Sequence, residues 1–548
     1  MNKSKAVGEI RFLMLNIAVQ PTGGDAMIEL EGVACVADVP RLQALRRGGA
    51  PALMFEGKAM TFAEVDAMAS RIANALIASG VRTQERIAYL GKNDDHFLPC
   101  LLGACKARAT LTPFNFRLAA PEVTRLIEDS GARFFIVGAD VIDLVDQAVA
   151  SLASKPRMIA IGFDRDGYER LEAWIETAEP RDPRLEGDPE DDVIQVYTSG
   201  TTGAPKGVRL TNRNYLAVFR FTMASGGLCY EPGDTVLAAM PFFHVAGANI
   251  ALIAMASGAR SAILRDAAPQ LILDLIGKER INHAFLAPAL IQMLMQAPGI
   301  ERADLSSMRT LTYGASPISE DLLKRAAARF RCEFVQLYGM TETCGAGTFL
   351  SHADHDPAKG KVRSCGIAWP GLELKIVDED GNEVERGAVG EVLIRSPVVM
   401  KGYWNKLEAT AAAIRDGWML TGDAAYMDED GYVFIYDRMK DMIRTGGESV
   451  YPAEVENALS GHPAIADVAV IGVPDDRWGE TVKALIVLKP GAPPDAADIV
   501  AWTRGRIAHF KAPKSVDFVD VIPRNATGKI LRRELREPYW KGRDRRVN

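Results

Sequence analysis

The stretch Tyr197-Thr-Ser-Gly-Thr-Thr-Gly-Ala-Pro-Lys-Gly207 directly follows Val193-Ile-Gln-Val, an apolar run that predicts a buried strand. Its three glycines permit backbone conformations that bring N–H groups close to an anion, while four hydroxyls and Lys206 add donors and a positive charge. It is not a Walker A loop, because Pro205 precedes the lysine and Gly207 follows it. A strand that opens into such a loop predicts a phosphate site, although a loop of this composition taken alone is more typical of a flexible connector.

Helix-like and strand-like segments alternate before this loop. Residues 61–80 have the spacing of an amphipathic helix, with Thr61 as the N-cap and Glu64 at the capping-box position. Further segments follow, strand-like at 86–90, 134–137 and 158–161 and helix-like at 97–107. This alternation predicts an α/β architecture with largely parallel sheets.

From about Val362 onwards the pattern changes. Strand-like runs at residues 374–377, 390–394 and 432–436, with a turn at Asp380-Gly-Asn382, predict a small antiparallel β unit. A charged stretch then leads into a short α+β segment of about 110 residues, where we place the main domain boundary.

The composition is that of a soluble globular protein with several structural units. Of 548 residues, 48% are apolar and 25% are charged, which argues against a disordered, collagen-like or coiled-coil chain. Lys and Arg number 64 against 71 Asp and Glu, and a net charge of −7 argues against nucleic acid as a partner of the whole surface. The longest nearly apolar run, residues 246–259, is shorter than the roughly 20 residues that a transmembrane helix needs. Seven cysteines without a Cys-x-x-Cys pair indicate reduced thiols and a cytoplasmic location.

The two ends of the chain differ from the rest. Residues 1–27 are predicted to be a disordered extension rather than a targeting segment, because Glu9, Arg11 and Asn16 interrupt their short apolar run. The last 25 residues carry nine basic and three acidic side chains. This balance fits either a solvated tail or contact with a polyanionic ligand.

The loop at residues 197–207 closely resembles the phosphate loop of the adenylate-forming superfamily, which comprises acyl-CoA synthetases, amino-acid adenylation domains and beetle luciferases. Residues 113–122 and 471–480 are most similar to its fatty-acyl-CoA ligase branch. Further strings resemble the family's other core motifs and stand in the family's order: Gln336-Leu-Tyr-Gly-Met-Thr-Glu342, Gly417-Trp-Met-Leu-Thr-Gly-Asp423 with Tyr436-Asp-Arg438, Thr445-Gly-Gly-Glu-Ser-Val-Tyr-Pro-Ala-Glu-Val-Glu456, and Pro523-Arg-Asn-Ala-Thr-Gly-Lys529.

The resemblance implies a particular α/β fold and domain division. We expect a large N-terminal body at residues 28–437, built from two α/β sheets and a small antiparallel β-barrel. A small mobile α+β lid domain is expected at residues 441–548, with a hinge at 438–440 centred on Lys440.

The resemblance also implies a reaction that activates carboxylic acids. A carboxylate is a poor electrophile, so the family lets it attack the α-phosphorus of ATP, which releases diphosphate and leaves an acyl-adenylate. The thiol of CoA then displaces AMP. Because negative charge gathers on phosphate oxygens in the transition state, positioned cations and N–H donors supply most of the catalysis. The implied cofactors are ATP, Mg²⁺ and the cosubstrate CoA.

Residue roles carry over from the family motifs. Glu342 is expected to bind Mg²⁺, Thr341 the α-phosphate, Tyr338 the adenine ring, and Asp423 with Arg438 the ribose hydroxyls. Taken singly, these residues are more typical of a helix cap, a core tyrosine and a turn. The catalytic set implied is Lys529, Thr341, Glu342, Thr198 and Lys206. The set expected to contact ATP or AMP is Thr198, Ser199, Gly200, Thr201, Thr202, Gly203, Lys206, Gly314, Ala315, Ser316, Gln336, Leu337, Tyr338, Gly339, Thr341, Asp423, Ile435, Arg438 and Lys529.

The lid is expected to serve both half-reactions. Lys529 resembles the lysine that bridges the substrate carboxylate and the α-phosphate during adenylation, and it must withdraw before a thiol can reach the same carbon. A rotation at Lys440 would then bring Gly446 and Gly447 to the site, where two glycines leave room for the pantetheine arm. The residues expected to contact CoA are Gly446, Gly447, Glu448, Trp478, Phe510 and Lys511.

The acyl pocket is expected at Phe243, His244, Gly314, Gly345 and Ala346. Amino-acid adenylation domains usually carry an Asp at the position of His244 to pair with the α-ammonium group, so an amino-acid substrate is disfavoured. Small pocket residues favour a medium- or long-chain fatty acid or an aryl-alkanoic acid over acetate.

Other readings stay open at this point. A stand-alone adenylating enzyme could load a carrier protein instead of CoA, and a non-catalytic nucleotide-binding scaffold is a third class. His352 and His355 could be taken as a metal site, although the pair lacks other ligands nearby in sequence. A homodimer is compatible with the family.

Overall fold

The computed structural model describes residues 32–198, 205–225, 229–445, 448–525 and 528–541. The predicted N-terminal extension at residues 1–27 lies outside the described residues. So do seven predicted ligand contacts, Ser199, Gly200, Thr201, Thr202, Gly203, Gly446 and Gly447.

The elements are numbered in chain order. The α-helices are α1 (Asp38–Arg47), α2 (Phe62–Ala78), α3 (Phe97–Lys106), α4 (Ala120–Ser130), α5 (Ile142–Ala150), α6 (Leu171–Glu176), α7 (Asn212–Ser225), α8 (Val245–Ser257), α9 (Pro269–Glu279), α10 (Pro288–Gln296), α11 (Glu320–Phe330), α12 (Leu407–Ala413), α13 (Pro452–Ser460), α14 (Ala496–Arg504) and α15 (Arg532–Trp540). The strands are β1 (Pro51–Phe55), β2 (Lys58–Thr61), β3 (Arg86–Leu90), β4 (Thr110–Pro113), β5 (Phe134–Gly138), β6 (Arg157–Ile161), β7 (Tyr168–Arg170), β8 (Asp192–Thr198), β9 (Lys206–Thr211), β10 (Thr235–Ala238), β11 (Arg260–Ile263), β12 (His283–Leu286), β13 (Thr310–Gly314), β14 (Glu333–Tyr338), β15 (Thr348–Leu350), β16 (Ile367–Ala368), β17 (Glu373–Val377), β18 (Gly390–Arg395), β19 (Gly402–Tyr403), β20 (Ile414–Arg415), β21 (Trp418–Met427), β22 (Val433–Arg438), β23 (Ile443–Thr445), β24 (Glu448–Val450), β25 (Ile465–Asp475), β26 (Gly479–Leu488) and β27 (Ser515–Phe518).

Two large sheets confirm the predicted α/β class. The first has the order β19-β9-β8-β4-β3-β5-β6-β7, and it is parallel from β8 to β7 and antiparallel at β9 and β19. The second has the order β16-β15-β14-β13-β12-β10-β11-β1-β2, with a parallel centre and antiparallel pairs at both edges. Parallel strands are buried on both faces, which explains why their sequences read as continuous apolar runs.

The predicted antiparallel unit and the C-terminal segment form two further sheets. Strands β17, β18, β20, β21 and β22 make one sheet, in which Asp423 on β21 stands directly opposite Arg438 on β22. Strands β23–β27 make the last sheet, which has hydrophobic clusters of its own.

Local sequence signals account for two helices that shape the core. Helix α2 starts with the predicted capping box, in which the Glu64 carboxylate accepts from the Thr61 N–H at 2.7 Å and the Thr61 hydroxyl accepts from the Glu64 N–H at 3.3 Å. Helix α8 holds most of the long apolar run, and it is buried in the core that joins both large sheets. A helix that is apolar on all sides is stable only when it is surrounded by other apolar groups. In the part of the chain that the structure describes, none of the helices has both the length and the apolar character needed to cross a membrane.

Candidate active site

The phosphate loop is held at both ends by a hairpin. Strands β8 and β9 are antiparallel, and Thr198 pairs with Lys206 at the point where the hairpin opens. Gly207 lies beside the Gln195 side chain, and a Cβ at residue 207 would come within 2.6 Å of the Gln195 amide nitrogen. The hairpin therefore brings two predicted phosphate contacts together, and the glycine is required by close packing at its base.

Glu342, the predicted magnesium ligand, is buried and positioned by a tyrosine that the sequence analysis missed. Its side chain lies in the short turn Thr341–Thr343 after β14, and the residue is 8% exposed. The Tyr403 hydroxyl donates to Glu342 Oε1 at 2.9 Å, and Lys206 Nζ lies 4.9 Å from the centre of the Tyr403 ring. Burial and the Glu342 carboxylate raise the pKa of Tyr403, so its hydroxyl stays a donor at neutral pH. Tyr403 thus connects the β8–β9 hairpin with the Glu342 carboxylate.

The predicted ribose acid Asp423 is clamped from two sides. Arg438 Nε lies 2.8 Å from Asp423 Oδ1, and the Tyr338 hydroxyl donates to Asp423 Oδ2 at 2.7 Å. Arg438 also donates to the Thr421 carbonyl oxygen at 3.0 Å. Tyr338, which is predicted to contact adenine, therefore fixes the orientation of the acid.

Lys529 lies within electrostatic range of this acid–arginine pair, although it belongs to the C-terminal sheet region. Burial, and as a smaller cause the positive charge of Arg438, lower the pKa of Lys529 to about 8. Asp423, Asp437 and Asp441 act in the opposite direction. Lys529 is thus close enough to Arg438 on β22 for the two charges to influence each other.

The Lys529 loop rests on helix α10. The Asn525 side chain accepts from the Lys529 N–H at 2.9 Å and closes the turn. Gly528 has a φ of +82°, and a Cβ there would be 3.0 Å from the Ala289 Cβ on α10. On the same helix, the Gln292 amide donates to the Ala466 carbonyl oxygen at 3.0 Å. Helix α10 is therefore the platform against which the loop is docked.

The other predicted nucleotide contacts gather at one edge of the second sheet. Strands β13 and β14 are parallel neighbours, so Ala315 and Ser316 follow the first at the same edge where Gly339 and Thr341 follow the second. The Gln336 amide oxygen accepts from the Tyr313 hydroxyl at 3.3 Å. The remaining predicted positions are Leu337 on β14, which is half-buried, and Ile435 on β22, which is also half-buried.

Glycines allow this edge to pack tightly. A Cβ at Gly314 would collide with the Leu337 carbonyl oxygen, and one at Gly339 would collide with the Gly345 carbonyl oxygen. Gly314, predicted as a pocket residue because it is small, is therefore also required by the contact between two strands. Ala346, another predicted pocket residue, is 2% exposed.

His244 caps helix α8 at the predicted acyl pocket. Its Nδ1 accepts from the Ala246 N–H at 3.2 Å, which places the proton on Nε2. Burial lowers the pKa of His244 to about 4, so the ring is neutral at physiological pH. The Phe243 ring packs edge-on against Phe116 with centroids 5.4 Å apart. The start of α8 is thus aromatic, and its histidine is neutral rather than an anion that could pair with an ammonium group.

The predicted CoA contacts are only partly visible. Trp478 and Phe510 are exposed, at 42% and 38%, and Glu448 is exposed on β24. Lys511 is held by both carboxylate oxygens of Glu454, at 2.7 and 2.9 Å. To contact a CoA phosphate, Lys511 must therefore break its ion pair with Glu454 or bind the phosphate and Glu454 at the same time.

His352 and His355 serve the fold through hydrogen bonds. His352 Nδ1 accepts from the Phe334 N–H at 3.2 Å. His355 lies 2.9 Å from the Tyr313 hydroxyl and 2.7 Å from the Ser351 carbonyl oxygen. Within the described ranges, the structure shows no group of three or more His, Cys, Asp or Glu side chains arranged for a metal ion.

Two more residues of the site were not predicted. Glu391 accepts from the Gly422 N–H at 2.8 Å and supports the turn that precedes Asp423. Asn249 on α8 donates to the Cys344 carbonyl oxygen at 2.8 Å, beside the predicted pocket residue Gly345. Neither residue lies in a motif with a spacing of its own, so only the packing of distant segments reveals them.

Comparison with known proteins places this geometry in a family. Two family models match the chain, "AMP-binding enzyme" over residues 41–404 and "AMP-binding enzyme C-terminal domain" over residues 454–529. A fatty acid–acyl-carrier-protein ligase of Streptomyces coeruleorubidus is 41% identical over 91% of this chain and 95% of its own length. A feruloyl-CoA synthase of Amycolatopsis is 38% identical over 89% and 96%. Among solved structures, a Mycobacterium tuberculosis fatty acyl CoA synthetase is similar with a TM-score of 0.73 and 34% identity over 92% of this chain and 98% of that chain. The chain therefore belongs to the AMP-binding enzymes of the adenylate-forming superfamily and is an AMP-forming acid–thiol ligase of the acyl-CoA synthetase type.

Proposed function

We propose that the protein joins a medium- or long-chain fatty acid or an aryl-alkanoic acid to CoA, with conversion of ATP to AMP and diphosphate. The observation that carries this proposal is the Asp423–Arg438 pair at 2.8 Å together with the packing of the Lys529 loop on α10, where Gly528 lies against Ala289. This arrangement places a cationic loop within electrostatic range of the predicted ribose acid. The neutral His244 at the mouth of α8 supports an acid without an amino group.

In the first half-reaction, a carboxylate oxygen of the substrate forms a bond to the α-phosphorus of ATP, and the bond from that phosphorus to diphosphate breaks. Lys206, Arg438 and Lys529 supply positive charge where the phosphate oxygens gain negative charge. Asp423 accepts hydrogen bonds from the ribose hydroxyls and thereby fixes the α-phosphate against Lys529. The Thr341 hydroxyl donates a hydrogen bond to the same phosphate.

Magnesium is proposed at Glu342. A hard carboxylate suits Mg²⁺, which usually takes one or two protein ligands and completes its shell with water and substrate phosphates. The ion supplies charge neutralisation on the phosphates when it is bound. Glu342 fits this role because Tyr403 holds one oxygen at 2.9 Å, which fixes the direction of the carboxylate.

In the second half-reaction, the CoA sulfur bonds to the acyl carbon, the bond from that carbon to AMP breaks, and the thiol proton passes to solvent. Lys529 obstructs this approach while it lies beside Arg438. We propose a body at residues 28–437, a hinge at 438–440 and a lid at 441–548, so that rotation at Lys440 withdraws Lys529 and brings Gly446 and Gly447 to the site.

A second candidate function is transfer of the acyl group to a carrier protein instead of CoA. It is favoured by the 41% identity to the Streptomyces coeruleorubidus ligase, whose name states an acyl-carrier-protein acceptor. Both functions use the same adenylate, so the sequence motifs for the first half-reaction do not separate them.

Diphosphate release, product detection and ATP–diphosphate exchange test these proposals. Purified protein with ATP and MgCl₂ is given octanoic, palmitic, phenylpropanoic, cinnamic and indoleacetic acids, and diphosphate release is measured with CoA, with a phosphopantetheinylated carrier protein, or with neither acceptor. Acyl-CoA detected by mass spectrometry supports the first function, and acyl-carrier alone supports the second. Absence of diphosphate release and of ATP–diphosphate exchange with every acid contradicts both.

A homodimer and a cytoplasmic location are proposed as well. Light scattering after size-exclusion chromatography tests the first, and fractionation of the native cells tests the second.

A further inference from the structure

Trp404, the residue directly after strand β19, is joined by its main chain to the hairpin that carries two predicted phosphate contacts. Its N–H donates to the Gly207 carbonyl oxygen at 2.7 Å, one residue beyond Lys206. The two residues of β19 pair with strand β9 immediately before this bond. The position of Trp404 therefore helps to fix the position of Lys206, at the start of β9.

The Trp404 side chain is held by two contacts. The guanidinium carbon of Arg86 lies 3.5 Å from the centre of the indole ring, and the indole N–H donates to the Asp129 carbonyl oxygen at 2.9 Å. Arg86 is 3% exposed and forms an ion pair with the buried Asp192. A planar guanidinium that is already paired with a carboxylate stacks on an aromatic face with little further loss of freedom. The ring is therefore anchored to strand β3 and to the last turn of helix α4.

Arg86 also supports Gly207 through a second side chain. Arg86 Nε donates to Gln195 Oε1 at 2.9 Å, and Gln195 Nε2 donates to the Tyr197 hydroxyl at 3.1 Å. A Cβ at residue 207 would lie 2.6 Å from Gln195 Nε2, so the Gln195 amide packs directly against Gly207. One buried guanidinium therefore contacts both side chains that border this glycine, the indole of Trp404 and the amide of Gln195.

The hairpin opens at Thr198 and Lys206, which pair with each other. Thr341 and Lys529 are assigned to the α-phosphate, so Thr198 and Lys206 are left for the β- and γ-phosphates of ATP. AMP lacks these two groups. A displacement of the hairpin should therefore weaken the binding of ATP and leave the binding of AMP unchanged.

We propose that Trp404 is a positioning residue for the outer phosphates of ATP. Its side chain, held by Arg86 and by the Asp129 carbonyl oxygen, keeps Gly207 and hence Lys206 in the place where the phosphates bind. This inference rests on the proposed function, because it takes Lys206 as a phosphate contact. Trp404 acts on the phosphate hairpin, whereas its neighbour Tyr403 acts on the Glu342 carboxylate.

The test measures the dissociation constants of MgATP and of AMP by isothermal titration calorimetry with the full-length protein. Trp404→Leu removes the aromatic face and the indole N–H together, and it should raise the Kd of MgATP by about 10- to 50-fold. Trp404→Phe keeps a ring over Arg86 and loses only the N–H, so a rise of about 2- to 10-fold is expected. In both variants the Kd of AMP should stay unchanged.

Catalysis gives an independent measure of the same effect. The KM for ATP in acid-dependent ATP–diphosphate exchange should rise by the same factors. Thioester formation from supplied acyl-adenylate and CoA does not involve the outer phosphates and should keep its rate. A general loosening of the fold would reduce both reactions.

Trp502 on helix α14 offers a matched control. Its ring also lies against a guanidinium, with Arg506 Cζ 3.3 Å from the ring centre, and its indole N–H also donates to a main-chain carbonyl oxygen, that of Ala458, at 2.9 Å. Both tryptophans are half-buried, and Trp502 lies outside all the predicted contacts of ATP and AMP. Trp502→Leu should therefore leave the Kd of both nucleotides unchanged.

The outcomes separate the role of Trp404 from the proposed function. An unchanged Kd of MgATP in Trp404→Leu, or an equal loss of affinity for MgATP and AMP, would overturn the positioning role. If Trp404→Leu does not fold, Trp404→Phe decides by the same two criteria. If the effect on MgATP is found but no acid supports diphosphate exchange, the proposed function is wrong while the role of Trp404 stands. If the unmodified protein binds neither nucleotide, both are wrong.

Discussion

Replacement of Tyr403 by phenylalanine should weaken magnesium binding without altering the nucleotide pocket. The Tyr403 hydroxyl donates to Glu342 Oε1 at 2.9 Å, and the carboxylate is only 8% exposed, so water cannot easily replace the lost donor. A hydrogen bond to a charged group contributes roughly 1.5–3 kcal/mol. Loss of a group that orients a metal ligand typically costs about 10- to 100-fold in metal affinity. We therefore expect the Mg²⁺ concentration for half-maximal activity to rise by about 10- to 100-fold.

The assay is ATP–diphosphate exchange as a function of free Mg²⁺ at saturating acid. Tyr168→Phe is a matched control, because the Tyr168 hydroxyl donates the same kind of hydrogen bond to Asp146 at 2.7 Å. Tyr168 lies on strand β7, at the opposite edge of the first sheet from β19. Its magnesium dependence should equal that of the unmodified protein. If Tyr403→Phe also shows an unchanged Mg²⁺ requirement, Tyr403 does not position the metal ligand and our reading of Glu342 is refuted.

Four further predictions concern the Lys529 loop and Gly447. Lys529→Ala should lower the rate of adenylation by about 100-fold or more, because it removes a positive charge near the transition state, while thioester formation from supplied acyl-adenylate is spared. A bulky residue in place of Gly447 should spare adenylation and lower thioester formation. Equal loss of both steps in either variant would contradict the assignment. Gly528→Ala should slow adenylation by about 5- to 30-fold, because φ at residue 528 is +82° and the new Cβ would lie 3.0 Å from the Ala289 Cβ. An unchanged rate of adenylation in a single-turnover assay would show that adenylation does not require docking of the loop on α10. In the ligand-free protein the docked position of Lys529 should gain population as the pH rises from about 8 towards 10.5. The pKa of the docked lysine is lowered to about 8, mainly by burial, whereas the undocked lysine holds its proton more tightly. Energy transfer between dyes on the proposed body and lid should show this gain in population, and Lys529→Met should abolish the pH dependence.

Much of the fold was predictable because its signals are local. Thr61 and Glu64 mark the start of α2. The apolar runs at β3, β5, β6 and β8 are each long enough to be recognised as strands without knowledge of the rest of the fold. The order of strands within each sheet is different. It depends on crossovers between distant segments, such as the pairing of β1 with β11, and no single window of sequence contains that information.

The site divides in the same way. Asp423, Arg438 and Lys529 stand in recognisable strings, and the structure brings them together. Tyr403 lies on the two-residue strand β19, which forms only because Gly402 and Tyr403 pair with Arg209 and Val208 on β9. Strands that short have no periodicity, so the tyrosine could not be recognised before the sheet was known.

The electrostatics of Lys529 would connect nucleotide binding with the proposed lid movement. In the docked position Lys529 and Arg438 repel each other, which is part of the reason that the pKa of Lys529 falls. A polyphosphate between the two cations would turn this repulsion into attraction, so ATP itself favours docking of the lysine. When diphosphate leaves, the remaining adenylate carries much less negative charge, and the same two cations regain their repulsion. Release of the first product would therefore weaken the docked position at the step where CoA needs the lysine to withdraw.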